Sequence, residues 1–61
     1  MEITISELID LKYALSYAMK YHYDSIEQLV KNDINTEYAE KNLECTQKLY
    51  LKVCKEIAKG L

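Results

Sequence analysis

The side chains that could do chemistry are few. There is one histidine, His22, two cysteines, Cys45 and Cys54, and ten carboxylates set against eight lysines. A zinc site needs about four ligands at roughly 2 Å. If the chain folds back on itself near Asp33, His22 stands level with Cys45 and Thr46. Cys45 then projects more than ~100° away from the inner face, and Cys54, although inward, lies about 13 Å further along at ~1.5 Å per residue. The spacing therefore predicts neither a metal nor a cofactor. The expected use of His22 is a buried polar pair with Thr46, with Asn42 as the other candidate partner, because one polar layer in an apolar core sets register at some cost in stability. The two cysteines lie on different faces of one helix, cannot form an intrachain disulfide, and read as small apolar residues. No Ser/His/Asp set shares a level, and the acids fall on outer faces or in caps. Without a concave pocket of several hundred Å³ to enclose a substrate, the expectation is that the chain is not an enzyme.

Tyr13, Tyr17 and Tyr21 recur every fourth residue and form a ladder bordered by Asp10, Ala14, Asp24 and Gln28. A solvent-facing helix normally carries Lys, Glu and Gln there. Tyrosine instead supplies stiff, amphipathic contact area of the kind enriched at binding hot spots. This line is expected to be either a self-association seam or the site for a different protein. Tyr23 and Tyr38 lie off it as boundary residues, and Tyr50 belongs to the inner face. A second stripe, Lys41, Lys48, Lys52, Lys55 and Lys59, could track a phosphate backbone. It lacks arginine for bidentate contacts and interleaved aromatics for base stacking, so nucleic acid is disfavoured as a partner. Leu51 interrupts that stripe.

The elements that position these residues follow from the pattern. With no proline and one glycine in 61 residues, the turns of a sandwich or barrel cannot be built. Thr4 and Glu7 form a capping-box pair, and Ile3 and Leu8 sit at the ends of a hydrophobic staple. Helix 1 is expected over about 5–31. Leu8, Leu11, Leu15, Ala18, Met19, His22, Ile26, Leu29 and Val30 share a sector of roughly 120° at ~100° per residue. Asp24 and Glu27 also make a cap-like pair, so a break near Tyr23 is the rival reading. The turn is placed at 32–35, with Asn35 capping helix 2 at about 36–59. Ala39, Leu43, Thr46, Leu49, Tyr50, Val53, Cys54, Ile57 and Leu61 form its inner face, and Gly60 lets its end fray or cap.

The expected fold is all-α: a single domain over 1–61, a two-helix antiparallel hairpin that pairs with a second copy into a four-helix bundle dimer. Ordering the 61 residues costs roughly 90 kcal/mol at ~1.5 kcal/mol each. A compact chain of this mass would bury roughly 6,300 Å², a little over half of it apolar, and recover about the same amount. An elongated hairpin recovers less, which predicts a homo-oligomer, with a dimer as the first expectation. The architecture is similar to that of the plasmid repressor-of-primer proteins, hairpins that dimerise and bind RNA. That likeness is one of topology and transfers no residue. The balanced charge, the short apolar runs and the N-terminus without an export signal predict a cytoplasmic protein that does not engage membranes. Abundant Lys, Ile, Asn and Tyr with no Arg suit an AT-rich genome. The first functional expectation is a small non-catalytic protein of the type phages or mobile elements encode, which binds and inhibits or modulates a larger host protein. The alternatives are an RNA-binding bundle using the lysine stripe and a structural subunit of a larger assembly.

Overall fold

A computed structural model describes residues 2–60. Leu61, assigned above to the inner face of helix 2, lies outside the described residues. Two helices, α1 (Ile5–Lys31) and α2 (Glu37–Gly60), pack against each other, and no strand is present among the described residues. The helices run antiparallel: Gln47 Nε2 donates to Tyr23 Oη at 3.1 Å near the middle, and the Ile5 side chain lies against Gly60 at the open end. The molecule measures 45 × 19 × 15 Å. Its radius of gyration is 14.1 Å, against about 10.5 Å for a compact chain of this length.

Both ends of α1 and the start of α2 are secured locally. Thr4 Oγ1 accepts the Glu7 N–H at 3.1 Å, and Glu7 Oε1 accepts the Thr4 N–H at 3.1 Å, so both halves of the capping box are present. α1 then runs unbroken through Tyr23, because the apolar phase continues and no residue there removes a backbone donor. It ends on Asn32 with a pair of bonds that reach back across the last turn. The Asp33 N–H donates to the Val30 carbonyl at 3.1 Å and the Ile34 N–H to the Leu29 carbonyl at 2.9 Å. This Schellman arrangement needs a left-handed residue at its second-last position, and Asp33 takes it with φ 55°. In α2, Asn35 Oδ1 accepts the Glu37 N–H at 2.7 Å, and the Thr36 carbonyl takes the first helical bond from Glu40. α2 thus begins at Glu37, just after Thr36. At its far end a Cβ built on Gly60 would overlap Cδ1 of Ile5. The glycine admits a close approach between the two chain ends there.

The core is thin. Leu15 (9% exposed) and Val53 (4%) are the only buried hydrophobic residues among those described. Leu8, Met19, Ile26, Leu29, Tyr50 and Ile57 are half-buried. Leu11, Val30 and Leu49, placed by the pattern on the inner faces, are exposed. The reason is geometric: one partner helix covers a narrower sector than the apolar stripe occupies.

Two expected outcomes follow from the ends. Asp33→Gly relieves the left-handed strain and removes an anion from a helix C-terminus, against the added freedom of glycine in the unfolded chain. It should raise unfolding free energy by about 0.5–1 kcal/mol in denaturant melts at fixed protein concentration. The Thr4 backbone N–H, and then its hydroxyl, hold the Glu7 carboxyl below its ordinary value of 4.5. A carboxylate with a depressed folded pKa supports the fold above the unfolded value, and that support disappears as pH falls through the folded one. Helicity should therefore drop below about pH 4.5, and Glu7→Gln should show a smaller drop over that range by circular dichroism.

Candidate functional site

The tyrosine ladder lies on the outer side of α1. Tyr13, Tyr17 and Tyr21 are 62%, 75% and 68% exposed. On a helix turning about 100° per residue they stand roughly opposite Leu15, the residue most deeply set against α2. The two flanking acids, Asp10 and Asp24, are exposed as well, and neither takes part in an ion pair among the described residues, where the paired acids are Glu27, Glu37, Glu44 and Glu56. Beside the ladder's C-terminal end a shallow depression of about 360 Å³ is lined by Tyr21, Asp24, Ser25, Gln28 and Leu29. A second, of about 460 Å³, sits at the start of α2 against Asn35, Glu37, Tyr38 and Lys41. The concavity not expected from the sequence is therefore present, but as open surface hollows rather than enclosed pockets. The side chains around them offer contact area and hydrogen bonds.

His22 and Thr46 are not a buried pair. No polar or charged residue is buried among those described. The Thr46 hydroxyl donates to the Asn42 carbonyl of its own helix at 3.0 Å, and the His22 ring meets the edge of Tyr21, with centroids 5.8 Å apart. A hydroxyl one turn beyond a helical carbonyl has a partner at hand and need not reach across. The polar bond that does cross the hairpin joins Tyr23 and Gln47. Sequence reasoning left Tyr23 at the boundary and did not single out Gln47. Their positions, about 80° and 120° from the inward direction at ~100° per residue, put both on one flank and were the available signal.

The lysine stripe is partly occupied by its own helix. Lys41 pairs with Glu37 at 3.5 Å, Lys48 with Glu44 at 3.1 Å and Lys59 with Glu56 at 3.2 Å. Glu44 raises the pKa of Lys48 through a hydrogen bond and its charge. Exposed pairs of this kind add little stability, but they lower the positive potential of the stripe. Lys52 and Lys55 have no ion pair among the described residues. Cys45 is exposed and Cys54 half-buried, and both are free thiols. No group of three or more His, Cys, Asp or Glu able to hold a metal ion is found among the described residues, and no described helix is long and apolar enough to cross a membrane.

No protein-family model matches the chain, and neither does any curated protein or solved structure.

The His22 ring has no hydrogen-bond partner among the described residues and sits half-covered near the helix–helix contact. Replacing a half-covered polar ring with Leu of similar reach exchanges desolvation cost for apolar burial. His22→Leu should raise stability by about 1 kcal/mol at pH 7, read as a shift of the urea midpoint with an unchanged slope.

Proposed function

We propose that this chain is a non-catalytic interaction protein. It self-associates by pairing hairpins into a four-helix bundle dimer and uses the Tyr13–Tyr17–Tyr21 face to bind and modulate a larger protein. The observation that carries the reading is the ladder itself: three tyrosines in register, each more than 60% exposed, on the side of α1 turned away from α2. Large amphipathic rings held on a rigid helix lose little entropy on binding. Asp10 and Asp24 at the two ends supply unpaired charge to orient a partner. Self-association is supported by the thin core and by Ile9, Tyr23 and Val30, which the hairpin leaves exposed along one flank. The proposed setting is the cytoplasm of a cell whose host protein is the target of a phage or mobile element, as the composition suggests. The RNA reading is weaker, because three of the five lysines it would use already pair with glutamates.

The test is Tyr17→Ala in a pull-down from extract of the encoding host's cells, run beside sedimentation of the same variant. Alanine favours the helix, so far-UV helicity should persist. Association with the captured protein should weaken by about 2 kcal/mol or more, the size expected for a central anchor, and more than for Tyr13→Ala or Tyr21→Ala. The dimer should remain. Dissociation of the dimer by Tyr17→Ala would turn the ladder into the self-association seam, and no change in either measurement would end the proposal.

A further inference from the structure

The described hairpin exposes 5023 Å², whereas area scaling gives about 4,100 Å² for a compact chain of this mass. The excess, roughly 900 Å², is close to the ~800 Å² each partner contributes to an interface of standard size. Two broad flanks are available to cover it, one on each side of the plane containing both helices. Taking Leu15 and Val53 as the inward direction of each helix and turning about 100° per residue, the cross-helix bond from Gln47 to Tyr23 marks one flank. That flank carries Ile9, Tyr23 and Val30 from α1, all exposed, and Leu43, Tyr50 and Cys54 from α2, all half-buried. The charges bordering it are Lys12 and Glu27, and Glu27 is paired with Lys31. The opposite flank carries exposed Leu11, Tyr38 and Leu49 as well as the small side chains of Ala14, Ala18 and Cys45. It sets them among five charges, Glu7, Lys41, Lys52, Glu56 and Lys59, of which Lys41 pairs with Glu37 and Lys59 with Glu56. The smaller number of charges is what favours the Tyr23 flank. Interface centres are depleted in charge and enriched in bulky apolar and aromatic side chains.

We infer that a second copy of this chain seats on the Ile9–Tyr23–Tyr50–Cys54 flank, which leaves both the tyrosine ladder and the Cys45 flank free. The inference rests on the self-association reading above and gives it a location. Two hairpins meeting there form two layers, with the ladder at the outer edge of each. Self-association and capture of a larger protein then use separate surfaces and do not compete. Because the same face is offered by both copies, the contact is isologous and closes at two chains.

Sedimentation of the full chain with glutamate substitutions tests it. Ile9 and Tyr23 are exposed in the hairpin, so Ile9→Glu removes little of its own packing and Tyr23→Glu gives up only the exposed bond to Gln47, which Tyr23→Phe removes alone as a control. Ile9→Glu and Tyr23→Glu should each raise the dimer dissociation constant roughly 30-fold or more, while Cys45→Glu and Tyr17→Ala should leave it within about threefold. A measurement without substitution stands beside these. Cys54 should react with iodoacetamide several-fold more slowly in concentrated than in dilute wild-type protein, and Cys45 should keep its rate. Dissociation by Cys45→Glu but not Tyr23→Glu, or slowing at Cys45 alone, would place the partner on the other flank and overturn the assignment while leaving self-association intact. A wild-type chain that sediments as a folded monomer at tens of micromolar would overturn both.

Discussion

Everything in this molecule depends on one line of contact between two helices, centred on Leu15 and Val53. A helix is roughly 10 Å across, so a single neighbour shields only part of its circumference. Residues near the line are buried or half-buried. Those displaced from it by about 40–60° range from half-covered Leu29 to exposed Leu11 and Val30, at 37% and 60%. The hairpin therefore has an inside too small for its apolar content. That is why its interest lies in its surfaces rather than in a cavity, and why a second layer is the natural completion.

The same constraint shapes the polar groups. A narrow core cannot enclose a polar layer, so His22 stays half-covered and the Thr46 hydroxyl turns to its own helix. Among the described residues the one side-chain hydrogen bond between the helices, from Gln47 to Tyr23, forms on a flank where water can still reach it. Charge is handled in the same local way. The four ion pairs among the described residues each lie three or four residues apart on one helix, which leaves the hairpin's geometry to apolar contact and to the caps. Capping is strong at both ends of α1, where Thr4 and Glu7 exchange bonds and Asp33 accepts a left-handed backbone. Such ends let a 27-residue helix persist with little tertiary support.

On the proposed reading, placing a ladder of tyrosines on the outer side of so simple a scaffold separates two tasks. The flank marked by Tyr23 and Gln47 offers bulk with few charges, suited to a permanent like-with-like contact. The ladder offers hydroxyl-bearing rings bordered by acids, suited to a partner that is bound and released. A short chain gains two distinct surfaces because its helices present four sides and use only one on each other.

The amino-acid sequence by itself determined the parts that depend on neighbours within about four residues. The Thr4–Glu7 box, an α1 that does not break at Tyr23, the turn at Asn32–Asn35 and the ladder's common line all follow from spacing, capping chemistry and the helical repeat. What the tertiary structure decided is how far coverage extends. Periodicity ranks directions around a helix, but it carries no information on how wide a sector the partner will shield. Leu11, Val30 and Leu49 were therefore placed inside and lie outside. The expected His22–Thr46 pair failed for a related reason. Being level on facing helices is a long-range coincidence, and the carbonyl of Asn42 lies one turn away in the same helix, where local bonds form first and cost less order.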